Sequence, residues 1–266
     1  MEARHHHHRQ EEVWEQLAKV TDPELDQAVT ELDFIDQLEV GDGGDVRVRF
    51  RLPTYWCAAN FAFMMASDMK ERVGELPWVN DLRVELLDHF YADAINRGIA
   101  EDASFQETCG GEAQGSLQAL RTMFRRKAFL SRQERLLRHL RNCRTPEEEL
   151  VGMSVRDLAD IVMLGDPDGD HLRSRYLEMR RAGPPDADGR YRGDAHELAF
   201  VTAGGEALTV DGFRRYLWDL RSTRANTEFN AHMCRSVLEA RKGSGGGSER
   251  AGRWPEIRVA AGDQNE

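Results

Sequence analysis

The sequence predicts an α+β fold: a small α-β-β-α-β domain at the N-terminus, followed by a mainly α-helical extension. Three observations carry this prediction. Val46, Val48, Phe50 and Leu52 alternate with Arg47, Arg49 and Arg51, the period of a strand with one face in water. Phe61, Met64, Met65, Met69 and Val73 then recur at helical spacing. From residue 117 onward, leucine-rich amphipathic stretches replace the strand signals.

The elements follow in order. Val13, Leu17 and Val20 share one face and predict a short helix over 12–19, running into Thr21-Asp22-Pro23-Glu24. There Pro23 suits a first helical position and Asp22 can accept orphan N–H groups. Residues 32–40 read as a strand, Gly41-Asp42-Gly43-Gly44 as a hairpin turn, and 46–52 as its partner. Pro53-Thr54-Tyr55-Trp56-Cys57 breaks that strand, and a helix from Ala58 stops at Gly74. A third strand lies within 78–87, with Val79, Leu82, Val84 and Leu86 apolar.

The extension opens with a long helix over 117–140. Leu117, Leu120, Phe124, Leu136, Leu137 and Leu140 form its core stripe, and its polar positions are rich in arginine. That basic face reads as a solvated surface or as a docking face for an acidic protein. Thr145-Pro146 opens a further helix, Ser154 with Asp157 forms a capping box, and 172–181 is helical. Residues 183–193 read as a loop, 198–210 as a small hairpin around Gly204-Gly205, and 212–221 and 225–241 as two helices. The division is therefore a His-containing tail (1–9), an α+β domain (10–100), a helical domain of no assigned family (101–242) and a Gly/Ser-rich tail (243–266), in which 254–259 is a candidate short strand. The His5–His8 run is either a metal-binding tract or a tail remnant.

Composition narrows the function. Lys and Arg number 36 against 47 Asp and Glu, a net charge of −11, which argues against nucleic acid as the main partner. No apolar run reaches the roughly 20 residues of a membrane span, and no signal segment opens the chain, so the expected location is the cytoplasm. The four cysteines form no CxxC pair, so neither a closed zinc site nor a disulfide framework is expected. No phosphate-cradling glycine loop, nucleophile elbow or HExxH helix occurs. The acidic stretches from Asp166 and from Asp186 lack the glycine of a calcium loop and read as acidic turns.

Cys57 is the leading candidate for chemistry. At the hand-over from strand to helix, unsatisfied N–H groups and the helix dipole are expected to favour its thiolate, the form that binds iron or acts as nucleophile. The alternative is a small buried hydrophobe. Cys109, beside Gly110-Gly111, is expected to be exposed, whereas Cys143 and Cys234 read as packing residues. His89 is a candidate auxiliary ligand or acid–base group, or a solvent-facing side chain.

Val20-Thr21-Asp22-Pro23-Glu24-Leu25, Leu32-Asp33-Phe34-Ile35 and Leu52-Pro53-Thr54-Tyr55-Trp56-Cys57, in that order, resemble the MIP18 family, which includes iron–sulfur assembly factors and the phenylacetate-degradation accessory protein. The resemblance covers residues of about 10–90. It implies that Cys57, Asp22, Glu24 and Thr54 form the cofactor-binding set, with Cys57 the metal ligand and His89 a second candidate. Where the family commonly has Gly-Cys-Pro, this chain has Trp56-Cys57-Ala58, a bulkier loop whose helix lacks a proline start. The implied role is non-enzymatic: transient binding of iron or an iron–sulfur cluster and delivery to a client apo-protein, a multicomponent oxygenase being one expected client. One cysteine cannot hold a cluster that takes four ligands, so bridging by a homodimer and hand-over to the client both stay open. Asp22 and Glu24 either approach Cys57 or simply cap a helix. Two other readings remain: an interaction or chaperone-like subunit with an inert Cys57, and a thiol-dependent enzyme using His89 as base.

Overall fold

The structure, a computed structural model, describes residues 2–110, 116–163, 165–181 and 197–243. The chain divides into two compact units, one formed by Met1–Leu117 with Ala231–Glu266 and the other by Gln118–Asn230. No described helix is long and apolar enough to cross a membrane. The loop over 183–193 and the tail from residue 244, with its candidate strand, lie outside the described residues.

In the first unit the order is α1 (Glu2–Leu17), β1 (Ile35–Val40), β2 (Asp45–Arg51), α2 (Ala59–Gly74), β3 (Asp81–Leu87), α3 (Ala92–Ala100) and α4 (Phe105–Cys109). The α-β-β-α-β pattern read from the sequence is thus the pattern formed. The helix expected from residue 12 begins ten residues earlier, and the His5–His8 run lies within it. Strand β2 is central, antiparallel to β1 and parallel to β3, with Val48 opposite both Leu38 and Val84. A parallel neighbour requires a crossover, and α2 supplies it.

The two faces of β2 have different chemistry, as the alternation predicts. Val46, Val48 and Phe50 are buried with Val13, Leu17, Met65 and Met69 from the helices. Arg47, Arg49 and Arg51 lie on the other face among carboxylates. Arg47 Nε lies 3.5 Å and Arg49 Nε 2.9 Å from Glu85, and Arg51 Nε lies 3.2 Å from Asp88. Such cross-strand opposite-charge pairs add a few tenths of a kcal/mol each, and they fix register. At the hairpin Gly44 has φ +88°, and a side chain there would run into the Trp78 carbonyl. Asn80 closes this junction, its N–H donating to Gly44 O at 2.9 Å.

The second unit contains most of α5 (Leu117–Asn142), then α6 (Glu147–Gly152), α7 (Val155–Asp160), α8 (Pro167–Arg181) and the first part of α9 (Val210–Gly243). Its core is Phe129, Leu136, Leu137, Leu140, Leu158, Tyr176, Phe200 and Phe213. The capping box of Ser154 and Asp157 forms as read. The hairpin at 198–210 reduces to a tight turn with a single bridge, Val201 to Ala207.

Two features of this unit differ from the sequence reading. The helices expected at 212–221 and 225–241 are one continuous helix, because Ser222-Thr223-Arg224 contains neither glycine nor proline to break it. The polar run Ser131–Glu134 is buried. Gln133 sits at its centre: Nε2 donates to Val201 O at 2.9 Å and to Tyr216 Oη at 2.6 Å, while Oε1 accepts from Val201 N–H at 3.2 Å. Tyr176 Oη lies 2.6 Å from both Gln133 Oε1 and Ala199 O. A buried amide satisfied this fully rigidifies the core around it.

Candidate metal site around Cys57

Three chain segments form the site. The first is the turn after α1. Asp22 Oδ1 accepts the N–H groups of Glu24 at 2.9 Å and Leu25 at 2.8 Å, and its own N–H donates to Gln27 O at 2.9 Å. Asp22 therefore caps a tight turn, stitched by the Thr21–Ala28 bridge, and no helix follows. Its side chain is buried, and burial pushes its carboxyl up to about 6 although both amide bonds favour the charged form. Glu24, beside it, is exposed.

The second segment is the loop between β2 and α2. Cys57 N–H reaches the Thr54 carbonyl at 3.4 Å, so Thr54 takes part through its backbone. Ala58 ends the loop as a helix cap with no side chain to offer. Cys57 is half-buried against the core. The expectation of an acidified thiol is overturned. Burial pushes the Cys57 thiol up to about 12, the Asp22 charge adds to this, and the Ala58 amide only partly opposes it. The helix-terminal amide is present, but loss of water and nearby carboxylates outweigh it.

The third segment is one the sequence does not connect to the others. Cys234, on the C-terminal part of α9, is half-buried against the same core, near enough for its charge to oppose that of Cys57. Its own thiol is raised by burial and then by Asp22 and Glu24, with Arg235 opposing. Arg235 Nη1 donates to Gln27 Oε1 at 2.6 Å, which ties this part of α9 to the Asp22 turn. Asp22, Glu24 and Cys234, the last read from the sequence as packing, are thus near enough to raise the Cys57 thiol by their charge.

His89 is buried, where a solvent-facing side chain was one expectation. Its Nδ1 accepts the Tyr91 N–H at 3.1 Å, which leaves Nε2 to donate to the Cys57 carbonyl at 2.8 Å. Burial lowers its pKa, so it is neutral at pH 7. Both ring nitrogens are engaged with backbone, so His89 positions the Cys57 loop. Around that loop Tyr55, Trp56 and Phe90 are exposed by 51%, 65% and 77%. Tyr55 meets Trp56 edge-on at 4.5 Å and stacks with Phe90 at 6.4 Å, and Phe90 N–H donates to Tyr55 O at 2.8 Å. Phe90 escaped the sequence reading, since no periodicity marks it.

The other cysteines also depart from expectation. Cys109 is buried, because the Ser104–Glu107 capping box starts a short helix that turns it inward. Cys143, read as packing, is exposed.

The charges of Cys57, Cys234, Asp22 and Glu24, from three segments, oppose one another when ionised, although among the described residues their donor atoms do not form a close set of three or more such as a bound ion needs. A cation of intermediate softness relieves that repulsion and takes the place of the protons. Residues 10–86 match the family model of the iron-sulfur cluster assembly protein. The match confirms the MIP18-type resemblance, and no curated protein and no solved structure matches the chain. The assembly-family segment runs from α1 to β3. It contains Asp22, Glu24, Thr54 and Cys57; His89, Phe90 and Cys234 lie outside it.

Proposed function

We propose that this protein is a non-enzymatic assembly factor that takes up iron or an iron–sulfur cluster transiently and passes it to a client apo-protein. Cys57 is the principal ligand, Cys234 the second thiol, and Asp22 and Glu24 the supporting carboxylates. The observation that carries this reading is the match of residues 10–86, which contain Cys57, Asp22 and Glu24, to an iron–sulfur cluster assembly family.

The raised Cys57 thiol, held up chiefly by burial, suits a cargo that is handed on. Metal binding to a thiol releases its proton, and a thiol held near 12 takes that proton back readily. Cargo is therefore held weakly for a thiolate site, which suits transfer over storage. Two copies of the chain would bring four thiols, the number a cluster requires, so a homodimer bridging one cluster is part of the proposal. The exposed Tyr55, Trp56 and Phe90 beside Cys57 offer an apolar contact for the client. A component of a multicomponent oxygenase is the client class that the resemblance implies.

One observation favours a second reading: the elevated Cys57 thiol also suits an inert residue in a docking scaffold. A thiol enzyme has less support, because His89 is neutral, directs Nε2 at a carbonyl and offers no free base. Anaerobic titration with ferrous iron and sulfide, followed by sulfur-to-iron charge-transfer absorption, separates the readings. With Cys143→Ser as the background, the chain should develop the band, and adding Cys57→Ser should abolish it. Equal bands in the two proteins would leave only the scaffold.

A further inference from the structure

We propose that His139, Cys143 and Asp166 in the second unit form a binding site for a divalent transition ion of the zinc class. The site is separate from Cys57 and lies outside the matched family segment. Among the described residues, these three have donor atoms within 4.8 Å of one another.

Local structure brings the three together. His139 and Cys143 are four residues apart at the end of α5, where Cys143 N–H still donates to His139 O at 3.0 Å and keeps both on one face. Asp166 comes from the turn that leads into α8. Its Oδ2 lies 2.6 Å from His139 Nε2, and Cys143 Sγ lies 3.8 Å from that same nitrogen. His139 Nε2 is thus the common point of the set.

The surroundings fit a ligand role. Gly169 N–H donates to Asp166 Oδ1 at 2.9 Å, which aims Oδ2 at His139 and leaves it one lone pair for a metal. Gly169 is buried. A Cβ there would lie 2.5 Å from Met163 Sδ and 2.6 Å from both His139 Nε2 and Asp166 Oδ2, so only glycine fits beside the donor atoms, which the Met163 thioether also adjoins. An imidazole nitrogen, a thiol sulfur and a carboxylate oxygen are the donors that zinc takes, and the two anionic ones balance a dication. Tetrahedral bonds of about 2.0–2.1 Å to nitrogen and oxygen space those atoms by about 3.3 Å, so the hydrogen-bonded pair opens by under about 1 Å on loading. With Cys143 exposed, three protein ligands leave the fourth position open to water or a small anionic ligand.

The test uses the full chain, anaerobic and reduced, with cobalt(II) as the probe. Thiolate-to-cobalt absorption reports sulfur ligation and ignores the His5–His8 run. The expected result is a band that persists in the Cys57→Ser/Cys234→Ser chain and disappears when Cys143→Ser is added. A band already lost in the double variant, or one that survives Cys143→Ser, overturns the proposal. An independent measurement needs no change at the first site: zinc should slow alkylation of Cys143 at least about tenfold in the native chain, and should not do so in His139→Gln. Equal alkylation of native Cys143 with and without zinc would mean an ordinary His–Asp pair beside a bystander thiol.

Discussion

His89 Nε2 donates to the Cys57 carbonyl at 2.8 Å while its Nδ1 accepts the Tyr91 N–H, so one imidazole fastens the start of α3 to the loop that presents the thiol. The pair lies 32 residues apart in sequence.

Replacing His89 with alanine removes its hydrogen bonds to that carbonyl and that N–H at a partly buried position. The expected cost is about 1–3 kcal/mol in urea unfolding, with a weaker sulfur-to-iron band from a loosened Cys57. A loss under about 0.5 kcal/mol would deny His89 its anchoring role.

Cys234→Ser tests the second thiol. The side chain is half-buried and nearly isosteric, so stability should change by less than about 1 kcal/mol, while iron affinity falls at least about tenfold. Unchanged affinity in an anaerobic iron titration would assign Cys234 to packing.

Asp22 makes stability depend on pH. Its carboxyl titrates near 6 when folded and near 3.8 when unfolded. Folding is therefore favoured by this group below about pH 4, and that advantage fades as pH rises through 6. Asp22→Asn keeps an oxygen for the Glu24 and Leu25 amides and removes the titration. With chelator present, native stability relative to the variant should fall by up to about 3 kcal/mol from pH 4 to pH 7. A constant difference across that range would contradict the assignment.

Gln133→Leu should be the most damaging single change in the second unit. It leaves the Val201 N–H without its Gln133 acceptor and removes one of two partners from Val201 O and from the Tyr216 and Tyr176 hydroxyls, for an expected loss of about 2–4 kcal/mol by denaturant unfolding. A near-neutral result would mean that these groups find other partners.

Alternation at Val46–Leu52 and the Gly41–Gly44 turn made the sheet legible, since strand period and turn chemistry are local properties of the chain. The Asp22–Glu24 turn and Cys57 were legible for the same reason, each lying in a short ordered motif. What escaped depends on distant partners. Cys234 lies on a helix that runs unbroken past Arg224 and is tied at Arg235 to Gln27 beside the Asp22 turn, and an unbroken helix gives no boundary signal. Loop residues 88–91 gave no period from which to judge that His89 is buried and Phe90 exposed. The acidity of Cys57 was misjudged because helix-end dipoles can be read from a sequence, whereas desolvation cannot.

The bond between Arg235 and Gln27 has a practical corollary for anyone subcloning this gene. A fragment trimmed at residue 86, where the family resemblance stops, or at 110, would discard Arg235 and Cys234 together. It would retain the recognisable motif yet lack one of the two thiols proposed here as ligands, and feeble iron uptake by such a fragment would say little about the intact polypeptide.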